Sequence, residues 1–145
     1  MDAKQTIAIG CDHTGYDYRS AIIDLISDHY AVIDFGVKTS ESVDYPDIAH
    51  QVCKAIESGK ANCGILLCGT ANGVAMTANK YQSIRAGICW SKEIAELIRQ
   101  HNNANVLCIP ARYTAIEQAK DIVNTYLNTS FEGGRHERRI NKICI

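Results

Sequence analysis

A cysteine stands at position 68 between an apolar run, Gly64-Ile65-Leu66-Leu67, and a run of small residues, Gly69-Thr70-Ala71-Asn72-Gly73. The apolar run reads as a buried strand, and Val74 to Lys80 reads as a short helix. A thiol at a strand end, beside the amides of a turn that opens a helix, is positioned for acid–base or nucleophilic chemistry. Those amides favour negative charge, and the same field predicts a lowered pKa for Cys68 and an available thiolate. Three other clusters could contribute. In Gly10-Cys11-Asp12-His13-Thr14-Gly15, Asp12 and His13 suit either chemistry or the cap of the following helix. His101-Asn102-Asn103 closes a helical stretch, where the simpler role is a C-terminal cap. Arg135 and Arg139 are four apart, so on a helix they share a face. Two guanidinium groups suit a phosphate monoester, and the plainer alternative is a solvated basic tail. Arg112, just beyond the last strand-like run, is a further candidate. Neither glycine-rich stretch fits the dinucleotide or P-loop fingerprint. The cysteines and histidines lack zinc-ligand spacing, so neither a metal nor a cofactor is expected.

The elements that must position these groups alternate along the chain. Strand-like runs are Thr6 to Gly10, Ala31 to Asp34, Gly64 to Leu67, Arg85 to Cys89 and Asn105 to Ile109. Between them lie amphipathic segments at Tyr16 to Ser27, Asp47 to Ser58 behind Tyr45-Pro46, Val74 to Lys80, and Ser91 to Gln100. Val37 to Asp44 is polar and loop-like. Thr114-Ala115-Ile116-Glu117 reads as a capping box that opens one more helix. The tail from Gly133 onward reads as a final short helix. This alternation predicts an α/β fold: a Rossmann-like three-layer α/β/α sandwich with a five-stranded parallel sheet and a C-terminal helical tail, in one domain over residues 1–145. Ligands of such sheets bind beyond the carboxyl ends of the strands. That rule predicts one rim carrying Asp12, Cys68 and the residues after strands four and five.

The 145 residues suffice for one domain with a sizeable core. Net charge is −1, so bulk attraction to nucleic acid or to an acidic membrane surface is not expected. No apolar run approaches the ~20 residues of a membrane span, and Met1 to Gln5 lacks the apolar core of a signal peptide. Seven cysteines without a C-x-x-C pair suggest reduced, buried thiols in a cytoplasmic protein.

Several of these pieces, in order, resemble the ribose-5-phosphate isomerase type B family, within the sugar-phosphate isomerases that include the galactose-6-phosphate isomerase subunits. The resemblance runs through Ile9-Gly10-Cys11-Asp12-His13, Asp44-Tyr45-Pro46, Leu67-Cys68-Gly69-Thr70 and Ala78-Asn79-Lys80. It continues through Arg99-Gln100-His101-Asn102, Ala104-Asn105-Val106-Leu107 and Gly133-Gly134-Arg135-His136. It implies an aldose–ketose isomerase that interconverts D-ribose 5-phosphate and D-ribulose 5-phosphate in the non-oxidative pentose phosphate pathway. In that reading Cys68 is the base that moves a proton between C1 and C2. His101 helps open the furanose ring, with Asp12 near the ring oxygen. Tyr45, Thr70 and Asn102 contact the sugar, and His13, Arg112, Arg135 and Arg139 grip the phosphate. Gly69, Ala71, Asn72 and Gly73 belong to the turn that holds the enediolate. The resemblance also implies a homodimer, sometimes a dimer of dimers, whose sites are shared, with His101, Asn102 and Arg112 supplied across the interface.

The family commonly has Gly-Ile where this chain has Ala71-Asn72. A positive φ at position 71 would strain an alanine. One galactose-6-phosphate isomerase subunit type lacks the equivalent of Cys68, and the other lacks the Gly-Gly-Arg-His tail. Both features are present here, which favours the pentose phosphate over a six-carbon sugar phosphate such as allose or galactose 6-phosphate. A non-catalytic sugar-phosphate sensor is the alternative of another class, and such a sensor would need neither Cys68 nor His101.

Overall fold

Alternate residues of the strand-like runs are buried on opposite faces, and each face receives its own helices. The computed structural model describes residues 3–37 and 42–145. Within the loop expected over Val37 to Asp44, residues 38–41 lie outside the described residues. The strands are β1 (Thr6–Cys11), β2 (Ala31–Asp34), β3 (Cys63–Cys68), β4 (Ala86–Ile88) and β5 (Val106–Pro110). The helices are α1 (Tyr16–Ile26), α2 (Tyr45–Glu57), α3 (Asn72–Ala78), α4 (Lys92–Asn102), α5 (Ile116–Asn128) and α6 (Arg135–Ile140). All strand pairs are parallel, in the order β2-β1-β3-β5-β4. Ile7, Ile9, Cys11, Ile65, Leu67, Leu107 and Ile109 pack on one face against α1, α4 and α5. Ala8, Leu66, Cys68, Val106 and Cys108 pack on the other against α2 and α3. This is the period of two that a sheet covered on both faces requires.

The expected α/β/α sandwich is therefore the observed one. Two single-turn 3-10 helices, His13–Gly15 and Ala111–Tyr113, were not foreseen; each follows a strand on the rim. The expected capping box is not formed. The Thr114 hydroxyl donates instead to the Pro110 carbonyl at 2.9 Å, and the Thr114 carbonyl accepts from the Tyr18 hydroxyl at 2.6 Å. α5 starts one residue later, behind Ala115, without a side-chain cap. The Pro110–Thr114 turn thus captures the hydroxyl that a helix start would have used. Among the described residues no helix is long and apolar enough to cross a membrane.

The order of the strands creates a crevice. From β1 the chain passes to α1 on one face, whereas from β3 it passes to α3 on the other. β1 and β3 are neighbours, so their loops diverge at a topological switch point. The β1 loop is pinned there by its Asp12 amide, which donates to the Leu67 carbonyl at 3.2 Å. Gly15 makes this seat possible. A Cβ at that position would stand 2.7 Å from Leu67 Cβ and 2.9 Å from the Leu67 carbonyl oxygen. Gly15→Ala should therefore lower stability by about 1–3 kcal/mol through overpacking, seen as a lower urea midpoint at unchanged m-value. An unaltered midpoint would show that the loop does not depend on this close approach.

Candidate active site

Cys68 ends β3 and Asp12 follows β1, so the switch point brings them together. The Cys68 thiol donates to Asp12 Oδ2 at 3.2 Å. The other carboxylate oxygen accepts from the Thr14 amide at 2.9 Å and from the Thr14 hydroxyl. Asp12 thus serves both suggested roles, one oxygen capping the 3-10 turn and the other facing the thiol. Both residues are buried, at 8% and 7% exposure.

The expected lowering of the thiol pKa does not occur. The pKa of Cys68 is pushed up to about 12. Burial is the largest cause, followed by the hydrogen bond to Asp12 and the charge of that carboxylate. The amides of Gly69 and Ala71 do point at the sulfur and act in the opposite direction, but they are outweighed. The turn bends so because Ala71 adopts the left-handed conformation, φ 64°, with its side chain fully buried. The positive φ that would strain an alanine at this position is thus present. The hydroxyl of Thr70 accepts from the Asn72 amide at 3.3 Å, and both side chains are exposed.

Three other expected residues line this crevice. Tyr45, at the start of α2, lies over Gly73 so closely that a Cβ there would overlap its ring. His13 follows Asp12, and its Nδ1 is buried without a hydrogen-bond partner among the described residues. The Arg112 amide donates to the Gly69 carbonyl at 3.1 Å, and its side chain runs across Gly69. Arg112 belongs to the same chain as Cys68 here, so it needs no second copy to reach the turn.

The remaining expected residues gather elsewhere. α4 runs back from the carboxyl edge of the sheet, so its last residues, His101 and Asn102, lie at the amino edge. The Asn102 carbonyl accepts from Arg85, the residue just before β4. The five-residue β5 separates the two edges by about 17 Å at ~3.3 Å per residue. At this second locus the rings of His101 and His136 stack at 4.3 Å and 12°. Burial, then the nearby His101 and Arg135, holds the pKa of His136 below the usual histidine value. A cavity of about 460 Å³ is lined by His101, Asn102, Arg135, His136 and Arg139. Arg135 and Arg139 do share a helix in α6, as their spacing predicted. His101, Glu132 and His136 bring potential ligand atoms within 4.8 Å of one another. The two guanidinium groups on the same cavity suit an anion there better than a cation. His101, Asn102, Arg135 and Arg139 thus lie apart from the rim that carries Asp12, Cys68 and Arg112.

The family model described as Ribose/Galactose Isomerase matches residues 7–143. Ribose-5-phosphate isomerase B of Escherichia coli (strain K12) is 44% identical over 138 residues, which cover 94% of this chain and 93% of that protein. A crystal structure of a ribose 5-phosphate isomerase from Thermotoga maritima superposes with a TM-score of 0.93 at 46% identity, covering 97% of this chain and 98% of the other. That of ribose-5-phosphate isomerase B from Mycoplasma genitalium with bound ribulose-5-phosphate gives a TM-score of 0.92 at 39% identity, covering 98% and 95%.

The balance of forces on Cys68 can be tested directly. Asp12→Asn removes the carboxylate charge and leaves at most a weaker, neutral acceptor for the thiol proton, so the Cys68 pKa should fall. At pH 9, iodoacetamide should then label Cys68 faster in the variant than in the native chain, followed by peptide mass mapping. Equal or slower labelling would mean that Asp12 does not hold the proton on sulfur.

Proposed function

This chain belongs to the ribose/galactose isomerase family, and on that premise we propose that it interconverts D-ribose 5-phosphate and D-ribulose 5-phosphate through an enediolate. The observation that carries the mechanism is the hydrogen bond from the Cys68 thiol to Asp12 Oδ2 at the switch-point crevice. Isomerisation requires a base that takes a proton from one carbon and returns it to the next. A thiol raised to about 12 is not ionised at rest, but its thiolate, once formed, is a strong base for a weakly acidic C–H. Asp12 supplies the route. As sulfur takes the proton from the sugar carbon, its own proton passes to Asp12 Oδ2. The negative charge moves from the carboxylate to the enediolate, and the number of protons is conserved. The return step gives the sulfur-held proton to the neighbouring carbon and the carboxyl proton back to sulfur, while the hydroxyl proton passes from one enediolate oxygen to the other. Neither step uses a metal or a cofactor.

The turn around the sulfur supports this reading. The Gly69 and Ala71 amides already face the sulfur, and the turn they belong to, Gly69 to Gly73, borders the enediolate oxygens in this mechanism. Such donors act on charge that exists only near the transition state. Tyr45 and Thr70 flank the sugar. His13, with its unpartnered Nδ1, and Arg112 reach the phosphate from the same side.

His101, the proposed ring-opening group, sits at the opposite edge of the same chain with Asn102, Arg135 and Arg139. A complete site therefore requires two copies, the crevice of one facing the His101 cavity of the other. A two-fold homodimer satisfies this twice over. Phosphate held jointly by Arg112 of one chain and Arg135 and Arg139 of the partner subunit would tie binding to assembly.

Three measurements check these claims. Purified protein should turn over ribose 5-phosphate in a coupled assay, and faster than allose 6-phosphate. Cys68→Ala should lose at least ~10²-fold in kcat while keeping the native circular dichroism, as for removal of a general base. Near-normal turnover would sink the assignment of Cys68. For the shared site, Cys68→Ala and His101→Ala chains should each be poorly active and should regain activity when unfolded and refolded together. Random pairing makes half the dimers mixed, each with one intact site, so about a quarter of native activity should return. No recovery, with mixed dimers confirmed by native mass spectrometry, would refute sharing and leave the reaction standing.

A further inference from the structure

The end of α4 that carries His101 and Asn102 is held by a residue from outside the helix. Arg85 precedes β4, and its guanidinium is half-buried under the last turn of α4. Its Nε donates to the carbonyls of Asn102 at 3.1 Å and Asn103 at 3.2 Å, and Nη2 donates to Asn103 O at 2.9 Å. These are carbonyls that a helix end leaves without intrahelical partners, and a cation there is favoured by the helix dipole. The backbone of Arg85 is fixed as well. Its amide donates to Asn105 Oδ1 at 2.8 Å, and its carbonyl accepts from the Asn105 amide at 3.0 Å. The next residue, Ala86, exchanges two hydrogen bonds with the side chain of Asn79, at 2.8 and 2.9 Å. The guanidinium therefore projects from an anchored base. Arg85 and Asn102 together line a cavity of about 750 Å³ beside the His101 cavity, and the two cavities share Asn102, Ile140 and Ile143.

Other restraints on this helix end are local to it or tie it to α5 and the chain that follows α5. Asn103 turns the chain out of the helix with φ 46°, and its amide donates back to Arg99 and Ile98. Arg99 Nη1 donates to Asn103 Oδ1 at 3.0 Å and Ala104 O at 2.7 Å. Those contacts define the turn after α4 but move with it. The Glu132 amide donates to the Gln100 carbonyl at 3.1 Å, Arg99 Nε to the Thr129 carbonyl at 3.3 Å and the Tyr126 hydroxyl to the Ala104 carbonyl at 2.9 Å, which ties α4 to α5. Among the described residues, the side-chain donors to the Asn102 and Asn103 carbonyls are those of Arg85, which tie the helix end to β4.

We propose that Arg85 is a positioning residue for the His101–Asn102 half of the site, setting where that half meets the Cys68 crevice of the second copy. The claim rests on the shared-site reading above. It assigns Arg85 to the His101 half although no part of Arg85 need touch the sugar.

Complementation between chains tests this. Arg85→Met removes the donors and keeps much of the side-chain volume. Its homodimer should lose kcat on the order of 10-fold or more, as for displaced catalytic groups. Arg85→Lys, which keeps the charge and one reachable carbonyl, should recover a good part of that loss. Refolded with Cys68→Ala, the Arg85→Met chain still supplies an intact crevice and receives an intact His101 half, so about a quarter of native activity should return. Refolded with His101→Ala it should gain nothing above its own residual rate. Native turnover by Arg85→Met would overturn the proposal. So would rescue by His101→Ala but not by Cys68→Ala, which would assign Arg85 to the crevice. Rescue by neither, while Cys68→Ala and His101→Ala rescue each other, would mean a general loss of structure and also overturn it. If those two controls fail to rescue each other, the shared site itself falls and the assignment of Arg85 falls with it.

Discussion

A parallel sheet sends the carboxyl end of every strand to one edge, and each crossover helix must bring the chain back to the other. In this molecule that constraint decides where every chemical group can be. Residues that follow strands, Asp12 and His13 after β1, Cys68 to Gly73 after β3 and Arg112 after β5, meet at one edge. Residues that end helices, His101 and Asn102 on α4, meet at the other. The tail after α5 reaches the second edge as well, which is why Arg135 and Arg139 join His101. No rearrangement of loops can bring the two groups together within one chain while the sheet persists. The separation follows from topology, and assembly of two copies is the simplest geometry that removes it.

Within the crevice the decisive balance is between two amides and a carboxylate. Turn amides near a thiol usually argue for an ionised sulfur. Here the sulfur is buried and its neighbour carries a negative charge, and both effects favour the protonated form. Backbone donors can reduce this preference but not reverse it. The proton on sulfur and the charge on Asp12 are thus two aspects of one state.

Much of the fold was legible because its signals are local. Short apolar runs marked the strands, the spacing of apolar residues marked α1 and α5, and Pro46 and Ser91 marked the starts of α2 and α4. Cys68 stood out because a thiol ends a strand beside small residues. What the sequence concealed were contests between residues far apart in the chain. Thr114 and Glu117 have capping-box spacing, yet the Thr114 hydroxyl finds the Pro110 carbonyl, and Tyr18 takes the carbonyl of the same residue. The upward shift of Cys68 came first from burial and then from Asp12, 56 residues away in sequence. The division of His101 from Cys68 followed from which end of α4 carries the histidine, and this was derivable from the strand–helix alternation already in hand. Arg85 gave no sequence signal at all, since an arginine before a strand is ordinary until its acceptors are known.

The protonated state of Cys68 also bears on how long the site survives in use. Peroxide and disulfides are attacked by thiolates, and their rates of reaction with a thiol track the ionised fraction and its exposure. A sulfur that is 8% exposed and held near pKa 12 presents almost none of that form between turnovers. Burial and the retained proton together leave this sulfur with little standing oxidative weakness.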